Sequence, residues 1–140
     1  KFVTLGSTID DSAGECFDKV SKTLGLGYPG GPAIEKLALK GDRYKYKLPL
    51  PLTKVKNCNF SFSGLKTAAI DIINKNKNNK RFLENFCASF QYTVGEIFKK
   101  KIENSLDEMN NEGIKFKDFS ICGGVAANQY LNQLIKVFIM

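Results

Sequence analysis

No histidine occurs among the 140 residues of the chain. Its absence removes the commonest metal ligand and the usual neutral-pH proton acceptor, so any chemistry written for these residues must do without both. Long apolar runs are missing too: no stretch approaches the ~18 consecutive apolar residues that a bilayer crossing requires. Asp10, Asp11, Glu15 and Asp18 lie close to the start, unlike a signal or transit peptide. These features predict a cytoplasmic protein without a membrane. Cysteine is sparse and scattered, at Cys16, Cys58, Cys87 and Cys122. Three of the four fall at apolar positions of expected helices or strands, where free thiols behave as small hydrophobes, so neither a disulfide framework nor a zinc cluster is expected.

The composition, 43% apolar and 25% charged, is that of a globular chain with one modest core. The net charge of +7 is uneven. Residues 36–56 hold Lys36, Lys40, Arg43, Lys45, Lys47, Lys54 and Lys56 against Asp42 alone. With Tyr44 and Tyr46 interleaved, this segment has the chemistry to follow an RNA backbone through counterion release. The competing reading is a compositional bias toward lysine and asparagine, visible again at residues 74–80 (NKNKNNK).

The chain opens at Lys1 without a methionine and enters an apolar run at residues 2–5 that reads as the tail of a strand. It is therefore expected to be a piece of a longer protein. Asp10 and Asp11 are placed to cap a first helix with an apolar face of Ala13, Cys16, Phe17, Val20 and Leu24, ended by Gly25 and Gly27. Pro29-Gly30-Gly31-Pro32 predicts a turn before a short helix over residues 33–39. Pro49 and Pro51 exclude helix over residues 42–59, which are expected to be an extended, mobile surface excursion. Residues 60–62 alternate as a short strand, Ser63 is placed to cap, and Leu65, Ala68, Ala69, Ile72 and Ile73 predict a second amphipathic helix. Residues 74–80 read as a solvent loop. The strongest periodic signal spans residues 82–109, where Phe86, Phe90, Val94, Ile97, Phe98, Ile102, Leu106 and Met109 recur every three or four positions. Residues 118–122 are expected to be a buried strand and 126–136 a helix, so the order of elements points to an α/β layered fold.

Four motifs carry chemistry. Residues 123–128 (GGVAAN) follow the apolar run 119–122 and lead into a helix, a geometry that lets backbone amides approach a phosphate or ribose. Upstream stand IDDSAGECFDK at 9–19, YPGGPAIEKLA at 28–38 and NFSFSGLKTA at 59–68. Together and in this order they resemble the TsaD family of tRNA threonylcarbamoyl transferases, over residues 5–134.

The resemblance implies two ribonuclease-H-like lobes of the actin, hexokinase and Hsp70 type, with nucleotide and metal in the cleft between them. Residues 1–58 would be the end of the first lobe and 59–140 the start of the second. It further implies that Asp18 binds the substrate nucleotide through ribose hydroxyls, and that Gly31 touches substrate where a side chain would intrude. Glu35 matches a carboxylate used by some members, Gly123 and Gly124 match the glycines that admit the nucleotide, and Asn128 matches the carboxamide that meets it. Ser61, Ser63 and Lys66 look like cleft architecture without a catalytic role.

The implied nucleotide is threonylcarbamoyl-AMP, or ATP or AMP. The implied partners are tRNA with TsaB-like and TsaE-like subunits in a bacterium, or KEOPS subunits in an archaeon or eukaryote. The family's one divalent metal, iron or zinc, is held by an upstream HxxxH motif and a downstream DNG-type aspartate; neither is in this sequence, and the first lobe's glycine-rich loop is missing as well. Alone, then, this stretch is expected to bind no metal and to lack full activity. The alternative reading is a truncated, non-catalytic nucleotide-binding or interaction protein. A metallopeptidase comes last, since such hydrolysis needs ligands and a base that these residues do not include.

Overall fold

A computed structural model describes residues 2–76 and 78–140 of the chain. Among them the regular elements are α1 (Ala13–Thr23), α2 (Gly30–Ala38), α3 (Ser63–Lys75), α4 (Phe82–Asn111) and α5 (Gln129–Ile139), with a 3-10 turn at Gly124–Ala127.

The longest apolar period builds the centre. In α4, Phe82, Phe86, Phe90, Val94 and Ile97 are buried along one face. Against them pack Phe17 and Val20 of α1, Ile34 and Ala38 of α2, Leu65, Ala69 and Ile73 of α3, and Leu131 of α5. Phe17 meets Phe90 edge to face at 5.1 Å, while Phe86 stacks between Phe82 and Phe90 at 5.3 and 6.1 Å. Each such ring contributes roughly 1.5–3 kcal/mol by leaving water, which makes this ladder the main source of cohesion. Elements from both sides of residue 58 share it.

The lower half of α4 departs from the expected stripe. Ile102, Leu106 and Met109 are only half-buried, and the buried positions are Lys101 and Asn104. The Lys101 ammonium donates to the carbonyl oxygens of Leu52, Val55 and Asn57 at 2.7, 3.2 and 3.1 Å and to Asn57 Oδ1 at 3.0 Å. Asn104 Nδ2 adds a bond to the Asn57 carbonyl at 2.8 Å. Residues 42–59 are therefore a string of turns fastened to α4, with Leu48 and Cys58 buried, rather than an extended excursion. Prolines forbid helix there as expected, but the orphaned carbonyls find an ammonium and a carboxamide instead of a strand.

The anticipated caps are exchanged. Ser12 rather than Asp10 or Asp11 caps α1, its Oγ accepting from Glu15 N–H at 3.2 Å. Asp10 reaches across the fold to the start of α3: Ser61 Oγ donates to Oδ2 at 2.6 Å, and the Phe62 and Ser63 N–H groups donate to Oδ1 at 2.8 and 3.3 Å. That carboxylate does the capping expected of Ser63, which is itself the first residue of α3. Asp11 pairs with Lys19 and Lys66 at 3.0 and 3.1 Å. Other boundaries move too. Helix α2 begins at Gly30 instead of Ala33, because Pro32 sits in the first turn where a missing N–H breaks nothing. Helix α3 runs to Lys75, shortening the expected 74–80 loop, of which Lys77 lies outside the described residues.

The expected strands do not form among the described residues. Residues 60–62 make only an isolated parallel bridge between Phe60 and Thr8. Residues 118–122, expected to be buried, are irregular and largely exposed, with Phe119 46% exposed. A strand needs a neighbour for its amides and a layer over its apolar face, and neither is supplied by the described residues. The described architecture is accordingly helical, and the β half of the α/β expectation is not seen in it.

Candidate nucleotide site

Two neighbouring segments, α1 and the turn into α2, meet a third from far along the chain beside the N-terminal ends of α2 and α5. Apolar spacing turns Cys16, Phe17 and Val20 of α1 into the core, which leaves Asp18 half-buried at its edge. There Asp18 Oδ1 accepts the Gly30 N–H at 2.8 Å. Gly30 has no room for a side chain: a Cβ would stand 2.5 Å from the Phe17 carbonyl oxygen and 2.6 Å from Ser21 Cβ. At its neighbour Gly31 a Cβ would meet nothing within 4 Å. The chain enters this turn through a cis Tyr28–Pro29 bond.

From the other side comes the motif at residues 123–128. Gly123, at φ +96°, adopts a conformation that L side chains rarely reach, and opens the 3-10 turn. Asn128 then caps α5, its Oδ1 accepting from Leu131 N–H at 2.9 Å. Its Nδ2 donates to Gln91 Oε1 of α4, also at 2.9 Å. Glu35 of α2 closes the arrangement, with its Oε2 accepting the Gln129 N–H at 2.6 Å. A carboxylate at that helix start is electrostatically favoured.

Between these parts lies a cavity of about 190 Å³. Asp18, Gly31, Glu35, Gly124 and Asn128 all line it, alongside the apolar walls of Phe17, Tyr28, Pro29, Pro32 and Val125. Five of the six residues singled out from the sequence are thus brought together, and Gly123 stands outside the wall as the hinge of the turn. The volume is below the ~300–1,000 Å³ of pockets that enclose a whole drug-sized ligand, so it suits one moiety of a nucleotide. Its wall includes the first turn of α2 and the cap of α5, whose N–H groups at Gly30 and Gln129 are already taken by the Asp18 and Glu35 carboxylates.

Sequence reasoning missed Gln91, the side chain that fixes the Asn128 amide, although a polar residue between Phe90 and Tyr92 in an apolar helix was a signal. Nor does it assign the apolar walls: Phe17 belongs by its spacing to the core face of the helix, and Tyr28 is only the start of the turn motif. Asn128 is more heavily used than expected: one lone pair and one N–H already serve the fold, leaving one of each for a ligand. Cys16 and Cys87 are buried thiols pushed up to about 12, chiefly by loss of water, and are inert. No group of three or more His, Cys, Asp or Glu side chains able to hold a metal ion occurs among the described residues. No described helix is long and apolar enough to cross a membrane.

Against known proteins, a family model described as "TsaD: tRNA N6-adenosine threonylcarbamoyltransferase" matches residues 1–138. A curated protein of that function name from Wolbachia pipientis wMel is 47% identical over 136 residues, covering 97% of this chain and 41% of the relative. One from Mycoplasma capricolum is 48% identical over 137 residues, covering 96% and 41%. One from Rickettsia peacockii is 49% identical over 140 residues, covering 97% and 40%. The chain spans about 41% of the length of the curated relatives it matches.

Proposed function

The chain belongs to the TsaD family, and from that premise we propose that it is the nucleotide-contacting segment of a transferase acting on tRNA. The reaction moves the threonylcarbamoyl group from threonylcarbamoyl-AMP to the exocyclic amine of the adenosine beside the anticodon, in the cytoplasm. What carries this reading is the convergence of Asp18, Gly31, Glu35, Gly124 and Asn128 on one cavity.

In this site the chain's residues bind and orient. Asp18 has one carboxylate oxygen committed to Gly30 and offers the other to ribose hydroxyls. The spare N–H of Asn128 is the donor this wall offers beside the Asp18 and Glu35 carboxylates. Phe17, Pro29 and Val125 cover the apolar face of the ligand and exclude water. The residues described do not fit the family's metal, whose role when bound is to polarise the transferred carbonyl. We assign that ion to HxxxH and DNG-type motifs elsewhere in a longer polypeptide. The same polypeptide would carry the remaining parts of two ribonuclease-H-like lobes, and the exposed apolar residues Ile114, Phe116 and Phe119 fit a strand that such lobes would cover. TsaB-like and TsaE-like subunits, or KEOPS subunits, are the proposed partners.

A second reading is a truncated, non-catalytic nucleotide-binding or interaction protein. Sequencing outward from both ends of the coding region decides: HxxxH upstream and DNG downstream support the enzyme, and stop codons before either support the second reading.

The site itself is tested by Asn128→Asp in the full-length polypeptide. The carboxylate keeps the cap on Leu131, and Gln91 turns its amide to donate, so the melting temperature stays near that of the parent. Binding of AMP in calorimetry should fall at least about tenfold as a third carboxylate joins Asp18 and Glu35 in the cavity wall. Undiminished AMP affinity would remove Asn128 from the site.

A further inference from the structure

The nucleotide cavity is the first of three concavities that share walls in series. Pro32 and Glu35 separate it from a groove of about 610 Å³ between α2, α4 and α5. Arg43 and Tyr92 in turn separate that groove from a third, of about 330 Å³, over α4 and residues 43–50. The divide between the second and third is unusual in composition. The Arg43 guanidinium carbon lies 6.0, 5.9 and 5.8 Å from the ring centroids of Tyr44, Tyr92 and Tyr130, and Tyr44 meets Tyr92 edge to face at 5.3 Å. Tyr44 is 73% exposed, so its ring is free to take a further stacking partner.

The charges along this path are cationic and available. Lys36 lines the second groove, Arg43 the divide and Lys47 the third. The nearby carboxylates have other partners: Asp42 accepts from Tyr44 N–H at 2.9 Å, Glu96 pairs with Lys99 at 3.5 Å, and Glu35 holds Gln129. Arg43 makes no ion pair among the described residues. Gln129 and Gln133 add amides along the second groove, able to meet base edges.

We propose that the Arg43–Tyr44–Tyr92–Tyr130 cluster and the two grooves it divides form a track for single-stranded RNA, seating the nucleotides that flank the acceptor adenosine. The proposal deepens the functional reading above and rests on it. Alternating cations and aromatic faces recognise unpaired nucleotides, whose phosphates meet the cations and whose bases stack on the rings. An acidic protein segment would satisfy the cations but would leave the exposed tyrosine face and the glutamine amides unused. Continuity decides for RNA: the track shares the Pro32–Glu35 wall with the cavity assigned to the donor nucleotide, beside which the acceptor must be brought.

The experiment uses the full-length polypeptide with two probes, AMP and an anticodon stem-loop RNA, and the variants Arg43→Gln and Tyr44→Ala. Both positions are exposed, so folding is expected to persist, and circular dichroism checks it. Each variant should bind the stem-loop at least about fivefold to tenfold more weakly, in line with loss of one phosphate or stacking contact. Arg43→Gln should also flatten the salt dependence of RNA binding by about one unit of slope. AMP affinity should be unchanged. Parental RNA affinity in both variants, with AMP binding intact, overturns the track and leaves the nucleotide site standing. Loss of a protein subunit from Arg43→Gln with RNA affinity unaltered overturns it in favour of a protein interface. Failure of the parent polypeptide to bind either probe overturns the functional reading and the track with it.

Discussion

The Oδ1 of Asp18 accepts the Gly30 N–H at 2.8 Å, so one carboxylate of α1 holds the first turn of α2 while standing in the wall of the nucleotide cavity. Asp18→Asn separates the two roles. An amide oxygen keeps the bond to Gly30, and the melting temperature should stay within a few degrees of the parent. The lost charge should weaken AMP binding by about 1.5–3 kcal/mol, since hydrogen bonds to an ionised group are the strong ones. Asp18→Ala should show the same loss of affinity plus about 1 kcal/mol of stability, as for a removed helix cap. Calorimetry and thermal melts on the full-length polypeptide measure both, and equal affinity in the Asn variant would leave Asp18 a purely structural residue.

Adjacent glycines should respond in opposite ways. At Gly30 an added methyl runs into the Phe17 carbonyl and Ser21, and Asp18 Cα lies 2.9 Å away, so α1 and α2 must separate. Gly30→Ala should cost about 1–3 kcal/mol, the range for overpacking a tight contact. At Gly31 the same methyl enters open space on a helical backbone, where alanine is favoured by up to about 1 kcal/mol. Gly31→Ala should therefore fold as well as the parent or better, yet bind AMP less tightly by narrowing the cavity. Denaturant midpoints and calorimetry on the two variants give the comparison; a stable Gly30→Ala would mean the helices are not this close.

What the sequence revealed depended on how local the determinant was. The stripe from Phe86 to Ile97 follows from a period internal to one helix, and it is buried as expected. The six candidate residues come from three motifs, and the fold brings five of them to one cavity. Long-range hydrogen bonds were invisible: nothing at Asp10 announces that its carboxylate caps a helix starting at Ser63, and nothing at Lys101 announces three carbonyls from residues 52–57. The run at residues 118–122 has strand-like residues, but pairing is a property of two segments and the described residues offer it no second one.

Lys101 carries the clearest stability prediction. It is 1% exposed, and burial holds its ammonium below the ordinary lysine value. Lys101→Met fits the same space but leaves the carbonyls of Leu52, Val55 and Asn57 without their donor. The variant should lose about 1–3 kcal/mol, because partly buried carbonyls lose a charged donor. Hydrogen exchange should quicken over residues 52–59 before it changes in α1 and α2. Parental exchange there would mean the turns are held by packing alone.

Acid should loosen the junction between residues 8–11 and α3 first. Burial pushes the Asp10 carboxyl up, but its bonds from Ser61, Phe62 and Ser63 outweigh that and leave it below the usual carboxylate value. Asp11 is lowered by its bonds to Lys19 and Lys66. A carboxyl whose pKa is lower folded than unfolded stabilises the fold fully above its unfolded value, near 3.8, and loses that contribution as pH falls through the folded value. Stability should hold from neutrality to about pH 5 and then decline toward pH 2, with the urea midpoint tracking it. Asp10→Asn should be less stable at pH 7 and show a shallower decline, since the amide neither titrates nor accepts three bonds as strongly as a carboxylate. If parent and variant lost stability in parallel below pH 5, the acid sensitivity would belong to other carboxylates and the Asp10 cap would not be its source.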